Sequence, residues 1–260
     1  MTGDITMQKK QNKNISLKNV QVQDGFWKPM QDLIIETVIP YQEKILNDEI
    51  PGVEKSHALA NFRIAAGMEK GEFYGMVFQD SDVAKWLEAV AYSLVVHPDA
   101  ELEKRADEVI ETIEKAQQED GYLDTYYIIN GKDGIFTNLR DHHELYCMGH
   151  LIEGAVSYYE ATGKDKLLHA AERFADYATD YFGPEEGKCK GYPGHEIAEM
   201  ALVRLYEVTG EQKYLDLSRF FIDERGTKPY YFDKEHPEIV KKGHENELRY
   251  SYHQAHLPVR

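Results

Sequence analysis

The sequence predicts an all-α fold of the (α/α)6-toroid type, built of antiparallel helix pairs, with only the first half of the barrel in this chain. The main observation is an internal repeat. Residues 159–168 (YEATGKDKLL) and 206–215 (YEVTGEQKYL) have nearly the same sequence and begin 47 positions apart. Each copy ends one helical pattern, turns at a Thr-Gly pair and begins a second helix. Such a helix pair must stack on its neighbours to bury its apolar face.

Helical spacing of apolar residues predicts the other elements in chain order. Residues 1–19 are expected to form a polar, irregular lead-in, and residues 20–260 one domain, the N-terminal portion of the barrel. A first helix is expected over 30–47. The three inner and outer pairs are 80–96 with 99–118, 142–161 with 164–182, and 195–209 with 211–223. A closed barrel takes six inner helices, so we expect the rest of it beyond residue 260.

Net charge and composition indicate which classes of partner the protein is expected to have. The formal charge of −16 disfavours nucleic acid and anionic membranes, which both favour a basic surface. The N-terminus lacks the apolar core of a signal peptide and no apolar run approaches a membrane span, so we expect a cytoplasmic protein. The 18 tyrosines and 11 histidines suit either a carbohydrate cleft or the packing of barrel ends, and composition leaves both open.

Two histidine motifs are the strongest candidates for a binding site. In residues 138–150 (NLRDHHELYCMGH), Asp141 and Glu144 form a capping-box pattern, which places His142 and His143 in the first turn of an inner helix. A histidine at that positive helix end tends to stay neutral and to offer hydrogen bonds. In residues 191–196 (GYPGHE), a Pro-Gly turn leads into the next inner helix at His195. Both histidines should therefore face one funnel.

Further candidates lie at the same expected rim. Asp80 and Asp82 begin the first inner helix, where acids are also favoured by the helix dipole alone. A loop over 117–127 holds Tyr122 and Asp124, and His256 precedes the place where a fourth inner helix would start. His143, Cys147 and His150 share a helix face, but that spacing is common and no fourth ligand is local, so no metal site is expected in this chain.

Four motifs taken together resemble glycoside hydrolase family 127, the β-L-arabinofuranosidase-like enzymes that were formerly a domain of unknown function. They are residues 78–88 (FQDSDVAKWLE), 140–150 (RDHHELYCMGH), 194–197 (GHEI) and 253–260 (HQAHLPVR). The resemblance covers residues 20–260, and the order of the motifs makes it specific to the family. It does not determine the substrate within the family.

The resemblance implies an (α/α)6 barrel followed by β-sandwich domains, and retaining hydrolysis of terminal L-arabinofuranosyl or similar residues of plant-derived glycans. It implies a cysteine nucleophile held on zinc by cysteines and a glutamate, with a second glutamate as acid/base. His143, His195 and Gln42 match its sugar contacts. The nucleophile, zinc ligands and acid/base are expected beyond Arg260, so this chain alone should be inactive and zinc-free.

Two other functions stay open. The first is another α/α-toroid sugar enzyme, such as an unsaturated glucuronyl hydrolase, a lyase or an epimerase, that uses Asp80, Asp82, Asp124 or a histidine as acid/base. The second is a non-catalytic helical-repeat module that binds a protein on its concave side. Half a barrel would also leave apolar surface exposed, so we expect either a homo-oligomer or association with a missing C-terminal half.

Overall fold

The computed structural model describes residues 15–244, and within them the fold is helical with no β-strand. The helices are α1 Trp27–Leu33, α2 Ile39–Leu46, α3 Ala58–Ala65, α4 Asp80–Val96, α5 Ala100–Ala116, α6 Thr125–Asn130, α7 Glu144–Thr162, α8 Lys166–Tyr181, α9 Ala198–Thr209, α10 Gln212–Arg225, α11 Tyr231–Glu235 and α12 Pro237–Lys241. A π-helical turn, Ile34–Val38, joins α1 to α2, and two 3-10 turns occupy Leu17–Asn19 and Lys132–Gly134.

The long helices form the two layers that the repeat predicts. Helix α7 packs between α4 and α9 in the inner layer, and α5, α8 and α10 pack behind them in the outer layer. The inner helices approach closely because glycines face their neighbours. A Cβ atom on Gly154 would lie 2.8 Å from the carbonyl oxygen of Ala84, so α4 and α7 could not pack as they do with a larger residue. The all-α prediction and its helix pairs are confirmed.

The two copies of the repeat have the same local structure. Helices α7 and α9 end at Thr162 and Thr209, and the next residues, Gly163 and Gly210, adopt left-handed φ values of 78° and 77°. Each threonine hydroxyl donates to the carbonyl four residues earlier and accepts from the amide two residues later. A left-handed residue after a helix is most easily glycine, which explains why the repeat keeps it.

Helix boundaries near the histidines differ from the prediction. Helix α7 begins at Glu144 and α9 at Ala198, two and three residues later than expected. The predicted capping box is wrong, because the residue before α7 is His143, which has a left-handed φ of 60° and makes no side-chain cap. The Glu144 side chain instead turns into the core, where it accepts from the Tyr122 hydroxyl and the Phe136 amide. Helices α3, α6, α11 and α12 are too short to stand out by periodicity.

An apolar stripe on the N-terminal helices lies exposed in the described part of the chain. Its residues are Trp27, Met30, Leu33, Ile34, Val38 and Tyr41, each more than a third exposed. An exposed apolar stripe is typical of an interaction face. The expected homo-oligomer or association with a C-terminal half stays a prediction. Among residues 15–244, every helix is too short or too polar to cross a lipid bilayer.

Candidate functional site

The structure brings His143 and His195 together at one end of the inner layer. Their Nε2 atoms lie 2.9 Å apart, although 52 residues separate them in the chain. The ring centroids are 4.8 Å apart. The pair forms because parallel inner helices start at the same end of the layer, and each histidine lies just before its helix.

The contacts of His143 determine its tautomer. Its Nδ1 atom lies within hydrogen-bond distance of the Asp141 carbonyl oxygen, which can only accept, so Nδ1 carries the proton. The Nε2 atom of neutral His143 is then an acceptor, and His195 Nε2 must donate to it. Burial lowers the pKa of His143, which favours this neutral form. The two rings therefore offer one acceptor and one donor side by side.

A tight loop places His195 opposite His143. The Gly194 amide donates to the Leu139 carbonyl at 3.1 Å, and a Cβ atom on Gly194 would lie only 2.5 Å from the Arg140 carbonyl oxygen. Only glycine fits this approach of two backbone segments. The buried Arg225 guanidinium also donates to the Pro193 carbonyl at 2.8 Å. The loop before α9 is thus held against the segment that precedes α7.

Aromatic and cationic side chains surround the pair. The Phe78 ring lies 5.2 Å from that of His143, and the Tyr146 ring lies 4.9 Å from that of His195. Lys85 of α4 donates to the Tyr146 hydroxyl at 2.9 Å. Burial, with Lys85 nearby, lowers the pKa of His150 to about 4, so this ring stays neutral as well. Neutral imidazoles beside aromatic rings suit a ligand with hydroxyl groups and an apolar ring face.

The comparison with known protein families decides the assignment. The family model for the β-L-arabinofuranosidase GH127 catalytic domain matches residues 19–260 of this chain. The chain belongs to family GH127. Its family membership, expected from the four motifs, is thereby confirmed.

Individual proteins are similar over most of this chain. The curated non-reducing end β-L-arabinofuranosidase of Bifidobacterium longum subsp. longum is 45% identical in an alignment of 263 positions, which covers 93% of this chain and 40% of that protein. The solved GH127 β-L-arabinofuranosidase of Geobacillus stearothermophilus T6 is 56% identical, with a TM-score of 0.85 over 93% of this chain and 38% of that one. The GH127 β-arabinofuranosidase BT3674 is 36% identical, with a TM-score of 0.75 over 86% of this chain and 36% of its own. This chain thus spans about two fifths of the length of these relatives.

Three residues that the sequence suggested for the rim are buried instead. Asp80 is 8%, Asp124 1% and Tyr122 0% exposed. The Asp80 carboxylate accepts from both the amide and the hydroxyl of Thr125, and Asp124 caps α6 by accepting from the Tyr127 amide. The prediction that these residues are exposed at the rim is therefore wrong. The physical reason is that Asp80 and Asp124 hold the start of α6, a short helix that periodicity did not reveal.

The other predicted residues have different settings. Asp82 is half-buried at the start of α4, 4.0 Å from Lys85, so it lies beside the aromatic cluster. His142 faces away from the pair, with its Nδ1 atom 2.5 Å from the Tyr127 hydroxyl. Gln42 is exposed on α2, which packs against α4. His256 lies outside the described residues.

Neither cysteine has the setting of a nucleophile or a zinc ligand. Cys147 is buried, and burial raises the pKa of its thiol well above the ordinary value. Cys189 is half-buried, with its sulfur accepting from the Gly191 amide and donating to the Tyr231 hydroxyl. Within residues 15–244 no three His, Cys, Asp or Glu side chains cluster as metal ligands do. The zinc of the resemblance therefore does not fit this part of the chain.

The residues at the histidine pair that sequence reasoning missed are Lys85, Tyr146 and Phe78. Each lies within the motifs quoted for the family. Tyr146 follows His143 by three positions, so helical spacing could have found it, whereas Lys85 comes from the neighbouring helix α4. A cleft of about 650 Å³ lies elsewhere, between α8, α10 and the loop 183–190.

Proposed function

We propose that this chain is the sugar-recognising part of a retaining β-L-arabinofuranosidase-type glycoside hydrolase. The substrate would be a terminal L-arabinofuranosyl or similar residue of a plant-derived glycan. The observation that carries the proposal is the pairing of His143 and His195, whose Nε2 atoms lie 2.9 Å apart, in a chain that belongs to GH127. The names of the relatives, which are β-arabinofuranosidases, support the substrate class.

The tautomers of the pair match the chemistry of a sugar hydroxyl. A hydroxyl both donates and accepts, so it can donate to His143 Nε2 and accept from His195 Nε2 at the same time. Binding would then replace the contact between the rings with two hydrogen bonds to one hydroxyl. A charged imidazolium would lose the acceptor, and therefore the low pKa of His143 serves recognition.

The chain's own residues would bind and orient the sugar rather than break its glycosidic bond. Retention needs a nucleophile at the anomeric carbon and a proton donor at the leaving oxygen. We place both beyond Arg260, together with the zinc ion, which when bound keeps a cysteine sulfur deprotonated. In this proposal the histidines hold one hydroxyl fixed while those groups act.

The test replaces each histidine in an enzyme of full length. A chimera in which this chain substitutes for the matching segment of the Geobacillus relative provides the remaining part of the protein. His143→Ala and His195→Ala should each lower kcat/KM for p-nitrophenyl β-L-arabinofuranoside by about 10- to 100-fold, because a lost hydrogen bond to a hydroxyl costs roughly 1–3 kcal/mol. His97→Ala, at the far end of α4, is the matched control and should leave the kinetics unchanged.

Two outcomes would count against the proposal. Unchanged kinetics in both histidine variants would remove the histidines from the sugar site. Loss of activity in Asp82→Asn, with retained activity in both histidine variants, would favour the carboxylate enzyme instead. Thermal melting of each variant separates a loss of recognition from a loss of folding.

A further inference from the structure

Tyr146 contacts every histidine of the site. Its ring centroid lies 5.7 Å from that of His143, 4.9 Å from that of His195 and 4.5 Å from that of His150. The contacts with His143 and His150 are edge-to-face, with interplanar angles of 90° and 77°. These are the distances and geometries that aromatic pairs prefer. Tyr146 thus packs against the ring that accepts and the ring that donates.

Lys85 clamps Tyr146 from the neighbouring helix. Its ammonium group donates to the Tyr146 hydroxyl at 2.9 Å and lies 4.9 Å from the centre of the same ring. A third contact, to the Ser81 hydroxyl at 3.0 Å, ties the ammonium to its own helix α4. A charge-assisted hydrogen bond to the hydroxyl restricts the motion of a tyrosine more than packing alone.

The histidine pair needs such a restraint. The χ2 torsion of histidine is broad and roughly two-fold, so an imidazole ring can flip and exchange the positions of its nitrogen and carbon atoms. His143 is restrained by the Asp141 carbonyl through Nδ1. The ring of Tyr146 lies against both imidazoles, where a flip or tilt of either would meet it.

We propose that Tyr146, clamped by Lys85, is a positioning residue that holds His143 and His195 in the orientation in which they grip one hydroxyl. The proposal rests on the proposed function, since it assigns a role within the same sugar site. It adds a residue that acts through the histidines and not on the sugar. The Tyr146 hydroxyl is engaged by Lys85, and the ring is the part that contacts the imidazoles.

The experiment compares two substitutions of Tyr146. Tyr146→Leu removes the ring, and Tyr146→Phe keeps the ring but removes the hydroxyl. Tyr159→Leu, on the same helix but at its far end and 37% exposed, is the matched control. The first readout is the ¹⁵N spectrum of the imidazoles in the 260-residue chain, which reports the tautomer of each ring without any need for activity. The second is kcat and KM of the chimera.

The proposal predicts a specific pattern. Tyr146→Leu should turn the single tautomers of His143 and His195 into mixtures and lower kcat/KM about tenfold or more, as misplaced binding groups do. Tyr146→Phe should keep single tautomers and stay within about threefold of the unchanged chimera, because the ring positions the histidines. Tyr159→Leu should alter neither readout.

The outcomes that would overturn the proposal differ from those that would overturn the function. Single tautomers and unchanged kcat/KM in a folded Tyr146→Leu variant would refute the positioning role. An equal loss in Tyr146→Phe and Tyr146→Leu would show that the hydroxyl, and not the ring, is the part that matters, and would also refute it. If Tyr146→Leu does not fold, Tyr146→Met takes its place, and single tautomers with unchanged kcat/KM in that variant refute the positioning role. An inactive chimera with the predicted tautomer changes would instead refute the proposed function alone.

Discussion

Glu144 offers the sharpest test of the packing beneath the histidines. This carboxyl is 2% exposed, it accepts from the Tyr122 hydroxyl at 2.6 Å and it accepts from the Phe136 amide at 2.9 Å. Desolvation raises its pKa to about 8, although both hydrogen bonds act to lower it. The folded protein thus holds Glu144 neutral at pH 7, directly after His143 in the chain.

The raised pKa has a defined sign for stability. The unfolded chain ionises Glu144 above its ordinary pKa of 4.5, whereas the folded chain does so only near pH 8. The stabilisation from the neutral form is therefore complete below pH 4.5, is lost progressively up to about pH 8 and is constant above it. A difference from 4.5 to about 8 corresponds to roughly 5 kcal/mol. Water entry on ionisation reduces this, so we expect a loss of about 2–4 kcal/mol.

The assay is urea unfolding of the wild type and of Glu144→Gln at pH 5, 6, 7 and 8. The glutamine keeps the size and an acceptor oxygen but cannot ionise, so the free energy of unfolding of the variant should fall less between pH 5 and 8. Asp80, whose pKa burial raises to about 6, contributes equally to both proteins and cancels in the difference. Glu186→Gln, at an exposed site, is the control. Parallel curves for wild type and Glu144→Gln would refute the reasoning.

Two further predictions concern the contribution of single side chains to the stability of the fold. Arg225→Met should cost about 3–5 kcal/mol of unfolding free energy, because it leaves the buried Glu199 carboxylate without the guanidinium that lies 2.9 Å away, whereas Arg219→Met, at a side chain 82% exposed, should cost little. Equal effects of the two arginine variants in urea unfolding would contradict this. Asp99→Ala should cost about 1 kcal/mol, because Asp99 caps α5 by accepting from the amides of Glu101 and Leu102. A thermal melt that does not change in Asp99→Ala would show that the cap is dispensable.

The helix pairs could be predicted because their signal is local and repeated. The Thr-Gly turns at Thr162 and Thr209 each require a left-handed residue after the helix, and this shared requirement explains why both copies have the same Thr-Gly sequence. Long helices with an apolar stripe also give a strong periodic pattern. Short helices such as α6 give almost none, and for this reason the burial of Asp124 at its cap was missed.

The site could be predicted only in part. The juxtaposition of His143 and His195 follows from two inner helices that start at the same end. Their helix starts could not be placed, because the left-handed backbone of His143 and the close contact of Gly194 with Arg140 depend on tertiary packing. The contact of Lys85 with Tyr146 joins two helices 61 residues apart, and sequence spacing within one helix does not show it.

The measurement that tests the central claim most directly is release of L-arabinose from p-nitrophenyl β-L-arabinofuranoside by the 260-residue chain and by the chimera, with zinc assayed in both. If this chain recognises the sugar and other segments supply the chemistry, only the chimera is active and contains zinc. Activity of the 260-residue chain itself would contradict the account, because the catalytic groups would then lie among its own residues, with Asp82 as the first to replace.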